Sequence, residues 1–444
     1  AAVIGDVFMP ELLEVAGNLP AEQVVQALEE LEQARLIQLT KSAIHHQVYT
    51  FVYSKIRQSI LQEMGAARLR MLHLRVARAL EKAHEPLPGS MSTSLAEHYE
   101  SAGEYHTALL RWLEAGQYAA SLYAPAQAHA AFTNAERLLM QLDPDVPQST
   151  VYQLYASWNK MAAASANPGL LSEINTRLLD MGEKRLSPLL SGTALNGLAL
   201  AALITEDLDK ALQYCDRAGF YLEQTGHVYE QIELDNRRGE CLLLLDRFQD
   251  GIDSFKKSLA LGFDDTDAQM LLLRARAEFS ISQAYYGMGW PERTREMAQR
   301  SLKTSLQAQN PSGAMEAHLM LVIAEYYLGN MEEALDHARQ GSKLAEALQS
   351  MQNIAFFNLT RARAELAQGL LKESWEHNLA AEAIGVKENL RRVLSWAASQ
   401  RGQTLRFLRQ YSPANLAYQA GVDLSVFSYD RLEAQFRLGL GLAS

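Results

Sequence analysis

The sequence is poor in everything that interrupts a helix. Its 444 residues include only 12 prolines and 26 glycines, while Ala, Leu, Glu and Gln are abundant, which predicts helix nearly throughout. It holds two cysteines, Cys215 and Cys241, too few for a disulfide framework. They read as small buried residues of a chain kept in a reducing, cytoplasmic compartment. No apolar run approaches the roughly 20 residues of a membrane span. The opening Ala1-Ala2-Val3-Ile4 has neither a basic leader nor a cleavage site, so no signal peptide is expected. It also lacks an initiator Met and reads like the interior of a domain, which predicts a piece of a larger protein cut on its N-terminal side. Positive charge is in deficit, with a net charge of -11; a phosphate backbone repels such a chain unless the cations are concentrated somewhere.

Motifs for chemistry are missing as well. Eleven histidines include no His-Glu-x-x-His, and the cysteines lack zinc spacing. His98, His106 and His129 have no carboxylate pattern to orient them, and His45-His46 falls at the tip of a predicted hairpin. His337 and His377 are 40 residues apart, equivalent places in successive repeats, and repetition alone explains them. Asp264-Asp265-Thr266-Asp267 lacks the glycine and distal glutamate of a calcium loop and reads as a loop that caps the next helix. There is no Gly-x-Ser-x-Gly elbow and no phosphate-cradling Gly-rich loop followed by Lys-Ser/Thr. The expectation is a chain that is not an enzyme, with no metal and no cofactor.

What the sequence does have is a repeat. Hydrophobic residues make up 48% and charged residues 21%, the balance of a folded protein. The segments beginning at Asp209, Gln249, Glu332 and Lys372 share one pattern, with a small residue at Ala211, Gly251, Ala334 and Ser374. The first two of these are 40 residues apart, and so are the last two. Thr294 is displaced by three, which a short insertion at 287–290 explains. Self-similarity at such a period predicts a solenoid of stacked helical hairpins, which presents a long curved surface to a partner. Turns between paired helices are marked by Asn167-Pro168-Gly169, Glu206-Asp207, Asp246-Arg247, Gly289-Trp290-Pro291, Gly329-Asn330 and Gln368-Gly369. Loops between hairpins are marked by Gly226, residues 262–267, residues 310–313 and Gly385.

The front of the chain differs. Helices are predicted over 10–16 and 20–34, β-rich runs over 36–39 and 47–52, and a further helix from Tyr53 or Ser54. That is the element order of a winged-helix domain. The domains read as a winged helix over 1–62, linking helices over 63–90, starter hairpins over 91–142, and a solenoid over 150–444 that closes on a capping helix at 429–442. Residues 54–82 carry Lys55, Arg57, Arg68, Arg70, Arg75, Arg78 and Lys82 against Glu63 and Glu81, the one region with the charge to touch nucleic acid.

The hairpins resemble the tetratricopeptide repeat. Leu95, Ala96, Tyr99, Gly103, Ala108, Trp112 and Ala115 match its pattern, and residues 198–218, 238–258 and 321–341 match in part. A period of 40 against the usual roughly 34 implies longer helices. The small residues let helices approach closely and the large ones plug the gap to the next hairpin. The order of motifs along the whole chain resembles the region that follows the nucleotide-binding core of STAND signal-transduction ATPases. It is carried by residues 1–8, by 24–39 with their Leu-Glu-Glu-Leu centre, by Tyr49-Thr50-Phe51-Val52-Tyr53-Ser54-Lys55-Ile56-Arg57, and by residues 70–77. The resemblance implies an absent N-terminal P-loop ATPase that this chain contacts and regulates. It also implies a nucleotide-sensing position at Tyr53, where the family often has His; a phenol donates one hydrogen bond but cannot become a cation.

Functionally, the fold class is an all-α tetratricopeptide-like solenoid behind a small winged-helix domain. The expected role is the ligand-sensing, autoregulatory arm of a STAND-type ATPase that binds a protein, peptide or small-molecule effector. The alternatives are a scaffold without a switching role and a transcription regulator whose winged helix binds DNA; nucleic acid is the less expected partner, and no membrane is expected. The partner surface is the concave wall formed by the first helix of each pair. Counting from the small residue of each second helix puts Asn236, Glu240, Arg276, Phe279, Gln283, Tyr286, Glu316, Tyr326, Phe356 and Arg363 there.

Overall fold

The computed structural model describes residues 1–41, 47–83, 89–262 and 266–425. The expected capping helix at 429–442, the hairpin tip at His45-His46, and Asp264 and Asp265 lie outside the described residues. The chain divides into two compact units, Ala1–Leu178 and Leu179–Ser444.

The first unit begins with a short strand β1 (Val7–Phe8), helices α1 (Pro10–Gly17) and α2 (Ala21–Gln33), strands β2 (Ile37–Lys41) and β3 (Gln47–Phe51), and helix α3 (Ser54–Glu63). Strands β2 and β3 fall where β-branched and aromatic residues predicted them, and β1 was not expected. They pair antiparallel in the order β1-β3-β2, with Ile37 opposite Phe51 and Val7 opposite Thr50. This small sheet covers α2: Phe8, Val24, Leu28 and Ile37 form a buried cluster. Helices α4 (Ala66–Ala83), α5 (Ser92–Ala102), α6 (Tyr105–Ser121), α7 (Pro125–Leu142), α8 (Gln148–Ala164) and α9 (Pro168–Lys184) follow, the last belonging partly to each unit. Leu95, Ala96, Tyr99, Ala108, Trp112 and Ala115 are all buried, as close packing of α5 on α6 through small residues requires.

The second unit is a series of antiparallel pairs: α10 (Pro188–Ile204) with α11 (Leu208–Leu222), α12 (Val228–Leu244) with α13 (Phe248–Ala260), α14 (Ala268–Gly287) with α15 (Pro291–Gln307), α16 (Pro311–Leu328) with α17 (Met331–Ala347), α18 (Met351–Ala367) with α19 (Leu371–Lys387), and α20 (Arg391–Phe407) with α21 (Tyr411–Leu424). The small-residue row Ala211, Gly251, Thr294, Ala334 and Ser374 is buried throughout and continues at Ala414. The displacement at Thr294 does not arise at 287–290: that turn has the same length as the turn between α12 and α13. The extra residues lie upstream, where α14 runs for 20 residues against 17 for α12. Three residues are close to one helical turn, so the insertion leaves the faces of α14 aligned with its neighbours.

The turns within the pairs share a second row. Glu206, Asp246, Gly289, Gly329, Gly369 and Arg409 all have positive φ. Each reverses the chain in the left-handed region, which suits glycine and costs other residues more. Between pairs the same role falls to Gln309, Gln349 and Asn389. Gly385, expected in such a loop, lies inside α19 against Leu394 and Val393.

Glycines inside the helices do a different job. Gly239 is covered by the ring of Phe255, Gly341 by Phe357, Gly402 by Tyr418 and, in the first unit, Gly116 by Phe132. In each case the aromatic ring follows its glycine by 16 residues, on the next helix. A Cβ at Gly239 or Gly402 would come within 2.6 Å of the ring. The rings fill the space the missing side chains leave, which locks neighbouring helices at close approach.

The two helices of a pair are not equivalent. The first helices pack on one another in series, α10 on α12, α12 on α14, α14 on α16, α16 on α18 and α18 on α20, and the second helices do not to a comparable extent. The first helices are therefore the inner, crowded layer of a curved stack. Burial agrees: α14, α16 and α18 bury residues all round, while α11, α15 and α17 bury one stripe. The inner wall is formed by α12, α14, α16, α18 and α20.

Candidate functional site

Along each inner helix, residues spaced by four and three reach the wall. On α14 the stripe is Leu272, Arg276, Phe279, Gln283 and Tyr286, all exposed or half-buried. The 40-residue register carries the Arg276 position forward to Glu316, Phe356 and Trp396 on α16, α18 and α20. One row across four helices thus reads Arg, Glu, Phe, Trp.

The two ends of this row differ in chemistry. At α12–α16, the Arg276 guanidinium makes a bidentate bond to the Glu240 carboxylate, at 2.5 and 2.7 Å. Glu240 chiefly holds the Arg276 guanidinium further into its charged range. Glu316 also faces Arg276, yet it has no hydrogen bond or ion pair among the described residues. Burial pushes its carboxyl up, and the attraction of Arg276 opposes this only in part. Asn236 is buried; its Nδ2 donates to the Leu273 carbonyl at 3.1 Å and its Oδ1 has no partner. Acceptors dominate this end.

At α16–α20 a buried aromatic and cationic cluster of Phe356, Arg363 and Trp396 lies beneath Tyr326, Tyr327 and Arg392, which reach the surface. The Arg363 guanidinium lies 5.6 Å from the Tyr326 ring centre and 5.4 Å from that of Trp396, and its Nη1 donates to the Tyr327 hydroxyl at 3.5 Å. Arg392 lies 5.3 Å from the Phe356 ring and 5.4 Å from Trp396. Phe356 and Trp396 meet edge to face at 5.3 Å. Guanidinium planes on aromatic faces are held by the ring quadrupole and keep their charge. Glu365 on α18 points away from this end, bonding Arg361 at 2.9 Å and His377 on α19 at 2.8 Å. On α20, Gln400, one turn beyond Trp396, is buried with both amide atoms unpartnered.

Of the ten residues expected on the wall, Arg276 is exposed, with 53% of its side chain accessible. Glu240, Phe279, Gln283, Tyr286, Glu316 and Tyr326 are half-buried. Asn236, Phe356 and Arg363 are buried and do not line the wall, because the count along an inner helix reaches its packed side as well as its open one. Tyr327, Arg392 and Trp396 were not anticipated. Extending the register one repeat past Phe356 reaches Trp396, so the signal was present. In the first unit Tyr53 is 66% exposed at the start of α3 and lines an open depression with Val52, Ser54, Lys55 and Ile56.

The histidines take separate partners. His337 faces His318, with the two Nδ1 atoms 3.1 Å apart, whereas the equivalent His377 meets a carboxylate. His98 pairs with His73 at 2.9 Å, and His129 packs on Trp158. Among the described residues no group of three or more His, Cys, Asp or Glu gathers that could hold a metal ion, and no helix is long and apolar enough to cross a membrane.

No protein-family model and no curated protein matches the sequence. Solved structures do match. The apo form of the quorum sensor NprR from B. thuringiensis aligns with a TM-score of 0.57 at 12% identity, over 84% of this chain and 99% of its own. The apo form of RapI aligns at 0.54 and 11% identity, over 76% of this chain and 96% of its own. The fold is a tetratricopeptide-like solenoid. A STAND protein with a tetratricopeptide-repeat sensor from Pyrococcus horikoshii aligns at 0.47 and 13% identity, over 87% of this chain and 61% of its own, a score too low to carry the likeness beyond stacked helices. At such identities the likeness to NprR and RapI is one of fold alone, and what the solenoid binds has to be argued from its own wall.

Proposed function

We propose that the inner wall of the solenoid captures a protein or peptide effector, and that the chain is the sensing and autoregulatory arm of a STAND-type ATPase with residues 1–62 as a winged helix. The observation that carries the first part is that Tyr326 and Arg392 reach the inner wall while the buried Phe356, Arg363 and Trp396 hold them in place across three successive inner helices. Rigid rings and forked cations are the groups that anchor polypeptide segments. The presence of a quorum sensor among solved structures of this fold is consistent with a ligand-reading role. The second part is supported by the order of motifs along the chain. In such an arm the effector acts by population shift. Moving a closed state from 1:99 to 99:1 takes about 5.5 kcal/mol of differential binding, within reach of a wall built from several repeats.

Capture is tested by equilibrating the chain with a random-sequence octapeptide pool and identifying retained peptides by mass spectrometry. A subset is expected to be retained by the wild type and lost by Arg392→Ala. Retention of nothing, or of the same peptides by both proteins, removes the reading. The ATPase context is tested by the coding sequence upstream of Ala1: a P-loop is expected, and its absence favours a free-standing scaffold. A second reading rests on Arg68, Arg75 and Lys82, spaced by seven on α4, all exposed. Such a row suits a phosphate backbone, and salt-dependent retention on duplex DNA, lost on neutralising the three, would favour it.

A further inference from the structure

The junctions between successive helix pairs are not equally made. Where α17 meets α18, the Phe357 ring fills the notch at Gly341. Three residues further from the connecting loop stand Ala338 and Thr360, and the Thr360 hydroxyl donates to the Phe357 carbonyl of its own helix. Where α15 meets α16, the equivalent pair is Ala298 and Met320, which share one apolar cluster. Forty residues beyond the α17–α18 set, the α19–α20 junction carries Ala381 and Ala397 in place of glycine and ring, and Asn378 and Gln400 in place of alanine and threonine. Gly385 against Val393 and Leu394 fixes how the two helices face. Asn378 and Gln400 lie seven residues from Gly385 and Val393 respectively, two turns along the same faces, which sets them opposite one another. Asn378 is 1% exposed and Gln400 2%, and none of their four amide atoms has a hydrogen-bond partner among the described residues.

A buried amide left without a partner carries its full desolvation penalty, and here two meet across one interface beside a pair of alanines that supply little filling. The Arg401–Glu382 ion pair across the junction, at 2.9 Å, is reached by water and adds little. Within its own pair α20 is well held: the Tyr418 ring covers Gly402, and the Ser395 hydroxyl donates to the Gly421 carbonyl at 2.7 Å. In a stacked array each hairpin depends on its interfaces with its neighbours, and the poorest interface opens first. We infer that the α19–α20 junction is the seam at which the second unit opens, α20 and α21 parting together from α18 and α19 while the earlier pairs stay closed. The opening reaches the inner wall. Phe356 of α18 and Trp396 of α20 belong to the same cluster as Ala381 and Ala397, so parting the seam withdraws Trp396 from Phe356 and widens the groove at this end. An effector that favours one width shifts the balance between closed and open; that use of the seam rests on capture at the wall, and the opening itself does not.

The seam is tested by hydrogen exchange and mass spectrometry on the full chain. Asn378→Ala with Gln400→Met copies the α15–α16 junction, and Asn378→Ala with Gln400→Thr copies the α17–α18 junction. A hairpin parted from the stack does not hold its helices, so its amides exchange on opening. In the wild type, α20 and α21 are expected to exchange together and faster than α16 and α17. Removing the unpartnered amides is expected to slow exchange of α20 and α21 about tenfold in at least one of the two variants, with α12–α15 unchanged. Unchanged or faster exchange of α20 and α21 in both variants overturns the inference, because it shows the amides bonded and holding the junction shut. Slowing of equal size in every helix overturns it as well, since that marks a general gain in stability and no local seam. Neither readout needs a peptide, so failure here is distinct from failure of capture.

Discussion

Helices α16 and α17 are the two halves of one hairpin, and they obey different rules. On α17 burial follows a single stripe, Ala334, Ala338, Gly341 and Ala345, spaced by four and three. On α16 buried residues run continuously from Met320 to Glu325, with His318 buried two residues before. The difference comes from position in the stack. An outer helix leans on its neighbours along one side and faces water on the other, so its sequence is amphipathic. An inner helix is flanked by its partner and by the hairpins before and after, so only the narrow stripe on the wall is free to be polar. The polar residues it carries are hydrogen-bonded to neighbours or reach the open stripe, and this is why the residues expected on the inner wall sit on the layer with the weakest periodic signal.

The sharpest way to break this comparison is to remove an inner anchor. Phe357 on α18 is 1% exposed and packs with Ala334, Ala338 and Ala345 of α17, its ring covering Gly341. Phe357→Ala takes away both the burial and the filling of the glycine notch. It is expected to lower the unfolding free energy by about 3–5 kcal/mol, read from urea denaturation. A loss below about 1 kcal/mol would mean the two layers are not locked by these rings.

A somewhat smaller effect tests the seam between the layers. His318 of α16 and His337 of α17 share one hydrogen bond between Nδ1 atoms, which requires one nitrogen to donate and the other to accept. Burial first, and then the neighbouring ring, lowers the His318 pKa from 6.5 to about 4; Asp336 opposes this weakly, and His337 itself is lowered by burial against Glu325, Asp336 and Glu333. Between these two values the unfolded chain binds a proton that the folded chain refuses. Stability is therefore full above about pH 6.5 and falls as the pH drops towards 4. For this one residue the loss is at most about 3 kcal/mol. The slope of unfolding free energy against pH in this window is expected to flatten in His318→Gln. Identical slopes in the two proteins would show that the pair does not sense protons. The His73–His98 pair of the first unit, where burial lowers His98 to about 4, adds the same sign of dependence to both proteins.

The same contrast explains what could be read without coordinates. The row Ala211, Gly251, Ala334 and Ser374 was legible because it lies on second helices, where one buried stripe repeats against a polar background. The strands near Ile37 and Val48 were legible from their β-branched and aromatic residues, although the identity of the small domain they form rests on their order alone. The wall was harder. Counting along the register located its helices, yet on an all-buried helix the same count reaches groove and core alike, so Phe356 and Arg363 prove buried while Gln283 and Tyr286 reach the groove. The turns at 206–207, 246–247, 289–291, 329–330 and 368–369 were legible from their breaker residues, and the one at Arg409 was not. Glu206, Asp246 and Arg409 adopt the left-handed conformation that Gly289, Gly329 and Gly369 adopt more easily, and three glycines in a row of six leave the rule half written.

The smallest effect belongs to the outer layer. Phe220 on α11 is 69% exposed, an aromatic residue on a second helix pointing away from the stack, with Tyr221 beside it at 5.5 Å between ring centres. If position in the layers rather than residue type sets the cost, a large aromatic here contributes almost nothing to the fold. Phe220→Ser is expected to change the unfolding free energy by less than about 0.5 kcal/mol, and to leave octapeptide retention on the inner wall unaltered. A loss comparable to that of Phe357→Ala would mean that this face of α11 is covered in solution, and the division into a crowded inner layer and a one-sided outer layer would no longer hold for the first hairpin of the series.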